Sequence, residues 1–183
     1  MPPAPVVIAL LRAVNVGARR VAMSDLRRWC EEAGHRDVRT YVQSGNLVFR
    51  SGLPLADVAG DLEARLAQRC GFEVPVVVRT ADAWGAAMAR CPFDTSGDPT
   101  RLVVAFAPGP LGPDALGGLD PDADGAERLH VEGGEVYLWL PDGQGRSPLA
   151  QAFARTPAGK VATARNWRTV AQLASLAAEV AAS

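Results

Sequence analysis

Tyr41-Val42-Gln43-Ser44-Gly45-Asn46-Leu47-Val48-Phe49 is the stretch whose reading decides the fold. Alternating apolar residues run into a Ser-Gly-Asn turn and out again, the pattern of a β-hairpin in which Gly45 can take a positive φ. The turn carries more polar side chains than turning requires. Gln43, Ser44 and Asn46 put donors and acceptors at one end of a sheet, where a ligand could meet them, although Ser, Gly and Asn are also ordinary turn formers.

Before the hairpin, Val6–Leu11 is a continuous apolar run with β-branched residues, the signature of a central strand buried on both faces, and it leads into Arg12-Ala13-Val14-Asn15-Val16-Gly17. Ser24 reads as an N-cap for a helix with Leu26, Trp29, Cys30 and Ala33 on one face and Gly34 at its end. The hairpin strands are expected over 38–43 and 47–50. Pro54 then suits a first helical position, Leu55, Val58, Leu62 and Leu66 form a helical stripe that stops at Gly71, and 74–79 returns as a strand. This βαββαβ order is the ferredoxin-like plan.

The second half repeats the order. After a connecting helix over Ala81–Ala89 and a linker from Cys91-Pro92 to Pro99, strands are expected over 101–107, 128–131 and 136–140, with a short helix over 113–119. Glu132-Gly133-Gly134-Glu135 is a second hairpin turn, and Ser147 followed by Pro148 opens another helix. A short edge strand over 160–163 and a final helix over 166–180 complete the half. The sequence therefore predicts an α+β protein of two ferredoxin-like (βαββαβ) halves with antiparallel sheets, duplicated in one chain, with domains 1–92 and 93–183.

In such a sheet the first and second strands run parallel with the third between them, which brings Arg12 and Asn15 toward Gln43, Ser44 and Asn46. In the second half the same reasoning brings the loop 141–147 and the segment 165–169 to one edge. Each half gains one polar corner. The chain has 183 residues, 48% hydrophobic and 21% charged, as soluble globular proteins do. Its net charge of -1 offers no bulk attraction to nucleic acid or an acidic membrane, so a polyanion would need a local basic patch. Lys160 is the only lysine in a chain rich in Arg, Ala, Gly and Pro. That bias reads as GC-rich codon usage, with an arginine-specific function as the alternative. Cys30, Cys70 and Cys91 form no Cys-x-x-Cys pair and make neither a disulfide framework nor a zinc knuckle; reduced, mostly buried thiols are expected. Met1-Pro2-Pro3-Ala4-Pro5 lacks a basic region, and the apolar run after it is too short for a signal or membrane segment, so the expected location is cytoplasmic.

Four stretches taken together, Leu10 through Gly17, Thr40 through Asn46, Pro141 through Ser147 and Thr163 through Val170, resemble the bacterial domain-of-unknown-function family number 1697 in order and spacing over essentially the whole chain. The resemblance implies two ferredoxin-like halves and no established activity. Two residues depart from it: Ala13 stands where the family pattern leads one to expect Gly, and Pro148 stands where it leads one to expect Lys. The second departure removes a cation.

Gly143, Gly145, Arg146 and Ser147 follow a strand and open a helix, a setting in which backbone N–H groups favour an anion; the alternative is a tight turn in which Arg146 pairs with Asp142. Neither a Walker loop nor a full dinucleotide fingerprint is present. Arg165 and Arg168, flanking Asn166 at an expected helix start, could fork a phosphate or carboxylate, or pair with acidic residues across the domain interface while Trp167 packs in the core. Arg12, at the end of an apolar strand, is either buried and paired or facing a ligand. His35 and His130 are not expected to share a site, and no metal-ligand spacing, Ser-His-acid set or paired carboxylates are visible. No catalytic residue, metal or cofactor is assigned. RNA binding is a minor alternative, because the strand 47–50 lacks the alternating aromatics that stack bases. The leading expectation is a small anionic ligand, a nucleotide or a phosphorylated or carboxylated metabolite, at Arg12, Asn15, Gln43, Ser44, Asn46, Gly143, Gly145, Arg146, Ser147, Arg165, Asn166 and Arg168. The alternative is a structural or protein-interaction module in which those residues hold the two halves together.

Overall fold

Every residue of β1 (Val6–Leu11) is apolar and every one is buried, so the strand takes an interior place in its sheet. The computed structural model describes residues 4–120 and 125–183; Met1, Pro2 and Pro3, with which the leader reading begins, lie outside the described residues. β1 is flanked on one side by β3 (Asn46–Arg50) and on the other by β4 (Val76–Thr80), both antiparallel to it, and β3 pairs on its far side with β2 (Arg36–Tyr41). The sheet order is β2-β3-β1-β4. Helices α1 (Met23–Glu32) and α2 (Leu55–Cys70) supply the residues that bury one face: Leu26, Cys30, Val58, Leu62 and Leu66 pack with Val7, Ala9 and Leu11. The helix α3 (Ala81–Ala89) follows β4 directly.

The second sheet has β5 (Leu102–Phe106), β6 (Arg128–Glu132), β7 (Glu135–Trp139) and β8 (Thr163–Asn166) in the order β6-β7-β5-β8, all neighbours antiparallel. Helices α4 (Pro148–Arg155) and α5 (Pro157–Val161) lie in the connection between β7 and β8, and α6 (Trp167–Ala182) follows β8. Val103, Ala105, Val136, Leu138 and Leu140 form a core with Phe153 and Ala158 from those helices. The protein is thus a mixed α/β chain with two four-stranded antiparallel sheets and, among the described residues, six α-helices.

The described residues of 1–86, together with 172–183, pack as one compact unit and those of 87–171 as the other. The return of the last residues to the first unit has a visible cause. Arg50, at the end of β3, donates to the carbonyls of Val180 and Ala181 at 2.6 and 3.0 Å, satisfying the C-terminal end of α6, and its Nε lies 3.3 Å from Asp37.

Several elements differ from their expected limits. α1 begins at Met23 with Ala22 at its N-cap, so Ser24 sits inside the first turn and caps nothing. Pro54 is the N-cap of α2 with extended backbone, one position before the helix. Of the segment expected as an edge strand over 160–163, Lys160 and Val161 belong to α5 and Thr163 to the strand that follows; α5 opens on Thr156-Pro157 just as α4 opens on Ser147-Pro148. Both hydroxyls accept a backbone N–H, Ser147 from Ala150 at 2.8 Å and Thr156 from Gly159 at 3.0 Å. The strand is β8, and the final helix starts at Trp167.

Candidate functional site

At the end of the first sheet, the exit of β1 meets the turn between β2 and β3. The pairing Leu10 with Asn46 brings the two together, and Leu11 donates its backbone N–H to Gly45 O at 2.8 Å. Gly45 has φ +78, and a Cβ there would lie 2.7 Å from both Leu11 Cβ and Val14 Cγ2, so only glycine fits. Asn15 fastens its own loop to the turn: its Nδ2 donates to Val21 O at 3.0 Å and Gln43 O at 2.6 Å, and its Oδ1 accepts from Val21 N at 2.9 Å. Asn46 is fully buried and donates to Tyr41 O and Ser44 Oγ, both at 2.9 Å. Their amide hydrogens therefore serve the architecture of the corner.

What this leaves facing outward is different in kind. The Gln43 and Ser44 side chains are exposed. Arg12 is half-buried, and among the described residues its guanidinium makes no hydrogen bond or ion pair within the chain; only its backbone N–H is engaged, with Pro75 O at 2.9 Å. Of the two readings of Arg12, the buried, internally paired one is therefore not what the described residues show. Val16 and Val42 are among the exposed large apolar residues, at 65% and 48%. The backbone is also unusual. Of four described non-glycine residues with positive φ, three lie here: Ala13 at 54°, Asn15 at 55° and Val42 at 49°. Asn tolerates this conformation, but a β-branched residue in it is a clear outlier. Ala13, where the family resemblance leads one to expect Gly, occupies a backbone geometry suited to Gly.

The corner of the second sheet is more self-contained. Leu140 donates to Arg101 O at 2.7 Å and Trp167 to Pro99 O at 3.1 Å, so the loop before β5, the loop after β7 and the start of α6 meet at one sheet end. Arg165 and Arg168 do not form a fork on one helical face. Arg165 lies on β8 opposite Val104, because the strand extends through Asn166, and it is 9% exposed; Arg168 lies in the first turn of α6 and is exposed. Arg165 donates to Thr163 Oγ1 and to Ala164 O, both at 2.9 Å, and burial pushes its pKa down to about 10. Asn166 caps α6, accepting from Thr169 N at 3.0 Å. Trp167 is buried.

The start of α4 already holds an anion from within the chain. Ser147 accepts from Ala150 N, and the Glu127 carboxylate accepts from Leu149 N at 2.9 Å. Glu127 was invisible to motif reading, since it comes from 22 residues away with no spacing signal. Pro148 occupies the first helical position, where its missing N–H costs nothing. Gly143 takes φ +83, whereas Gly145 sits in a 3-10 turn with open space where a Cβ would be. Arg146 is exposed and, among the described residues, is not paired with Asp142. Asp98 is held below the usual carboxylate range by the Thr100 hydroxyl and backbone N–H, with help from the charges of Arg101 and Arg168.

Of the cysteines, Cys30 is buried, with its thiol pushed up to about 12 by burial, while Cys70 and Cys91 are half-buried; all three are free. Among the described residues no group of His, Cys, Asp and Glu could hold a metal ion, and no helix is long and apolar enough to cross a membrane.

A family model described as "Protein of unknown function" and numbered DUF1697 matches residues 5–137. The solved structure of the conserved bacterial protein SP0830 from Streptococcus pneumoniae is similar in fold, with a TM-score of 0.80 at 22% identity, covering 96% of this chain and 99% of that chain. No curated protein matches the chain.

Proposed function

We propose, from the premise that the chain belongs to the DUF1697 family of proteins of unknown function, that it binds a small anion, a nucleotide or a phosphorylated or carboxylated metabolite, at the corner formed by Arg12, Gln43 and Ser44. The observation that carries this reading is Arg12. A half-buried guanidinium at the end of a fully buried strand has lost part of its hydration and gains no compensating ion pair among the described residues. A ligand carboxylate or phosphate would supply the missing partner, and the exposed Gln43 amide would add a hydrogen bond. The strained backbone at Ala13 and Val42 supports the same reading, because strain of this kind is concentrated at binding sites. The recurrence of one strand order in both sheets supports a duplicated ferredoxin-like ancestry, and a cytoplasmic protein of this kind is the expected setting.

A second reading is structural: the polar residues of both corners hold loops in place. The hydrogen bonds of Asn15, Asn46, Ser147 and Asn166 favour it for those four residues, but not for Arg12. The test is thermal unfolding of parent and Arg12→Ala with inorganic phosphate, ATP, glucose 6-phosphate and citrate. A probe at about one hundred times its dissociation constant adds roughly 2.7 kcal/mol. A probe that raises the parent's midpoint and leaves Arg12→Ala unmoved supports binding. If no probe moves the parent, or the variant responds equally, the binding reading fails.

A further inference from the structure

Between the second sheet and the helices above it lies a cavity of about 110 Å³. Its floor is Val103, Ala105, Leu138 and Leu140, all buried, and its roof comes from Ala150 and Phe153 of α4 and from α5 and the segment after it. The one polar residue in its wall is Gln144, which is exposed and sits in the 3-10 turn before α4. Well-packed interiors leave few voids larger than a water molecule, so a largely apolar recess of this size, with Gln144 and Ala154 exposed in its wall, has room for a small apolar guest.

The cavity has a sequence cause. The lining beyond the floor is made of small residues, Ala150 and the exposed Ala154 on α4, Gly159 on α5, Ala162 just after it and Ala164 on β8, where amphipathic helices more often carry Leu or Ile. The roof cannot sink to close the gap, because it is pinned. Ser147 and Thr156 cap α4 and α5, Glu127 holds the first turn of α4, and the Thr156 hydroxyl donates to Phe153 O at 2.7 Å. α5 is already at closest approach to α4, since a Cβ on Gly159 would lie 2.0 Å from Phe153 O.

From this we infer that the second unit has a binding site for a small aromatic or branched aliphatic group, entered beside Gln144. The site is separate from the anion corner of the first unit and does not rest on it. Benzene is the probe, followed in methyl-resolved NMR spectra and by thermal unfolding of the full chain. The expected result is a saturable shift of the Val103, Leu138 and Leu140 methyls and a raised unfolding midpoint. Ala105→Ile, which fills the cavity from its floor, should abolish both. Ala150→Leu fills it from the roof and serves if the first variant does not fold. Unchanged methyl spectra of the parent in benzene-saturated buffer overturn the proposal, and so does an undiminished benzene response in a folded filled variant.

Discussion

Leu11 donates its backbone N–H to Gly45 O at 2.8 Å in the first unit, and Ala107 donates to Gly134 O at 2.8 Å in the second. The two bonds sit at matching places, where the first strand of each sheet leaves the ladder beside a hairpin turn. Beyond them the solutions part. In the second unit the outgoing loop runs through Pro108, Gly109 and Pro110 and is fastened by a backbone bond, Leu111 N to Gly133 O at 2.9 Å. The hairpin there is two glycines, one of them at φ +61. In the first unit the Asn15 side chain does the fastening, the turn is four residues long, and non-glycine residues hold left-handed backbone. The second version shows that this sheet end can be closed without left-handed non-glycine backbone among the described residues, and with its exposed cation, Arg90, paired to Glu132 and Glu135. What the first unit adds at that place is therefore not demanded by the fold, which is why the binding site is proposed there.

The largest effect that tests this contrast is steric. Gly45→Ala must place a Cβ against Leu11 and Val14 in left-handed backbone, and should cost about 3 kcal/mol, combining overpacking with the αL penalty. Gly133→Ala meets only Glu135 Oε2, at 3.6 Å, and should cost about 1 kcal/mol. Urea unfolding of both variants measures the difference; equal losses would erase the distinction between a tight turn and a loose one. Next comes Asn15→Ala, which removes three hydrogen bonds and leaves Val21 N without its partner, for about 2 kcal/mol given partial exposure. A loss below roughly 0.5 kcal/mol, the low end for a single net hydrogen bond, would mean that water replaces the clamp.

Much of this was legible before the structure. The apolar run at 6–11, the hairpin at Gly45 and the Ser147-Pro148 helix start are local signals, and each is found within a residue or two. The approach of Asn15 to Gln43 followed from strand order alone. The misses were of two kinds. α5 carried the same cap-and-proline signal as α4 but spans only five residues, too few for a periodic stripe. β8 has no apolar alternation in Thr-Ala-Arg-Asn; its strand character comes from pairing with β5, a tertiary cause, and that pairing took Arg165 off the expected helical face. Glu127 at the start of α4 was unreadable for the same reason.

A pH effect should separate the units further. His35 is buried against Phe49, with ring centroids 4.4 Å apart and Nε2 lacking a hydrogen-bond partner among the described residues. Burial lowers its pKa, the charge of Asp61 opposes that shift and Arg65 reinforces it. A folded pKa below the unfolded value of 6.5 means that the unfolded chain binds the extra proton first. The stability contribution is thus complete above about pH 6.5 and is lost as pH falls through the folded pKa, with a slope no steeper than about 1.4 kcal/mol per pH unit. Urea midpoints from pH 7.5 to 5 should fall in the parent and lose this component in His35→Phe; an unchanged slope in the variant would assign it elsewhere.

The smallest effect bears most directly on the contrast. Ala13 at φ 54 costs about 1–2 kcal/mol relative to right-handed backbone, and the added freedom of glycine in the unfolded chain returns about 0.4–1 kcal/mol of that. Ala13→Gly should therefore raise stability by roughly 0.5–1 kcal/mol. Val42→Gly tests the same argument where the side chain is 48% exposed and gives up little packing. If both variants gain stability, the first unit carries removable strain that the Pro-Gly loop of the second does not need. The phosphate and citrate responses of the same variants then decide what the strain is for. A gain in stability with a weaker response means that the strained loop holds the site in shape, because glycine relaxes the very backbone that positions Arg12. A gain with an unchanged response means that the strain belongs to the turn alone and that Arg12 is positioned by β1.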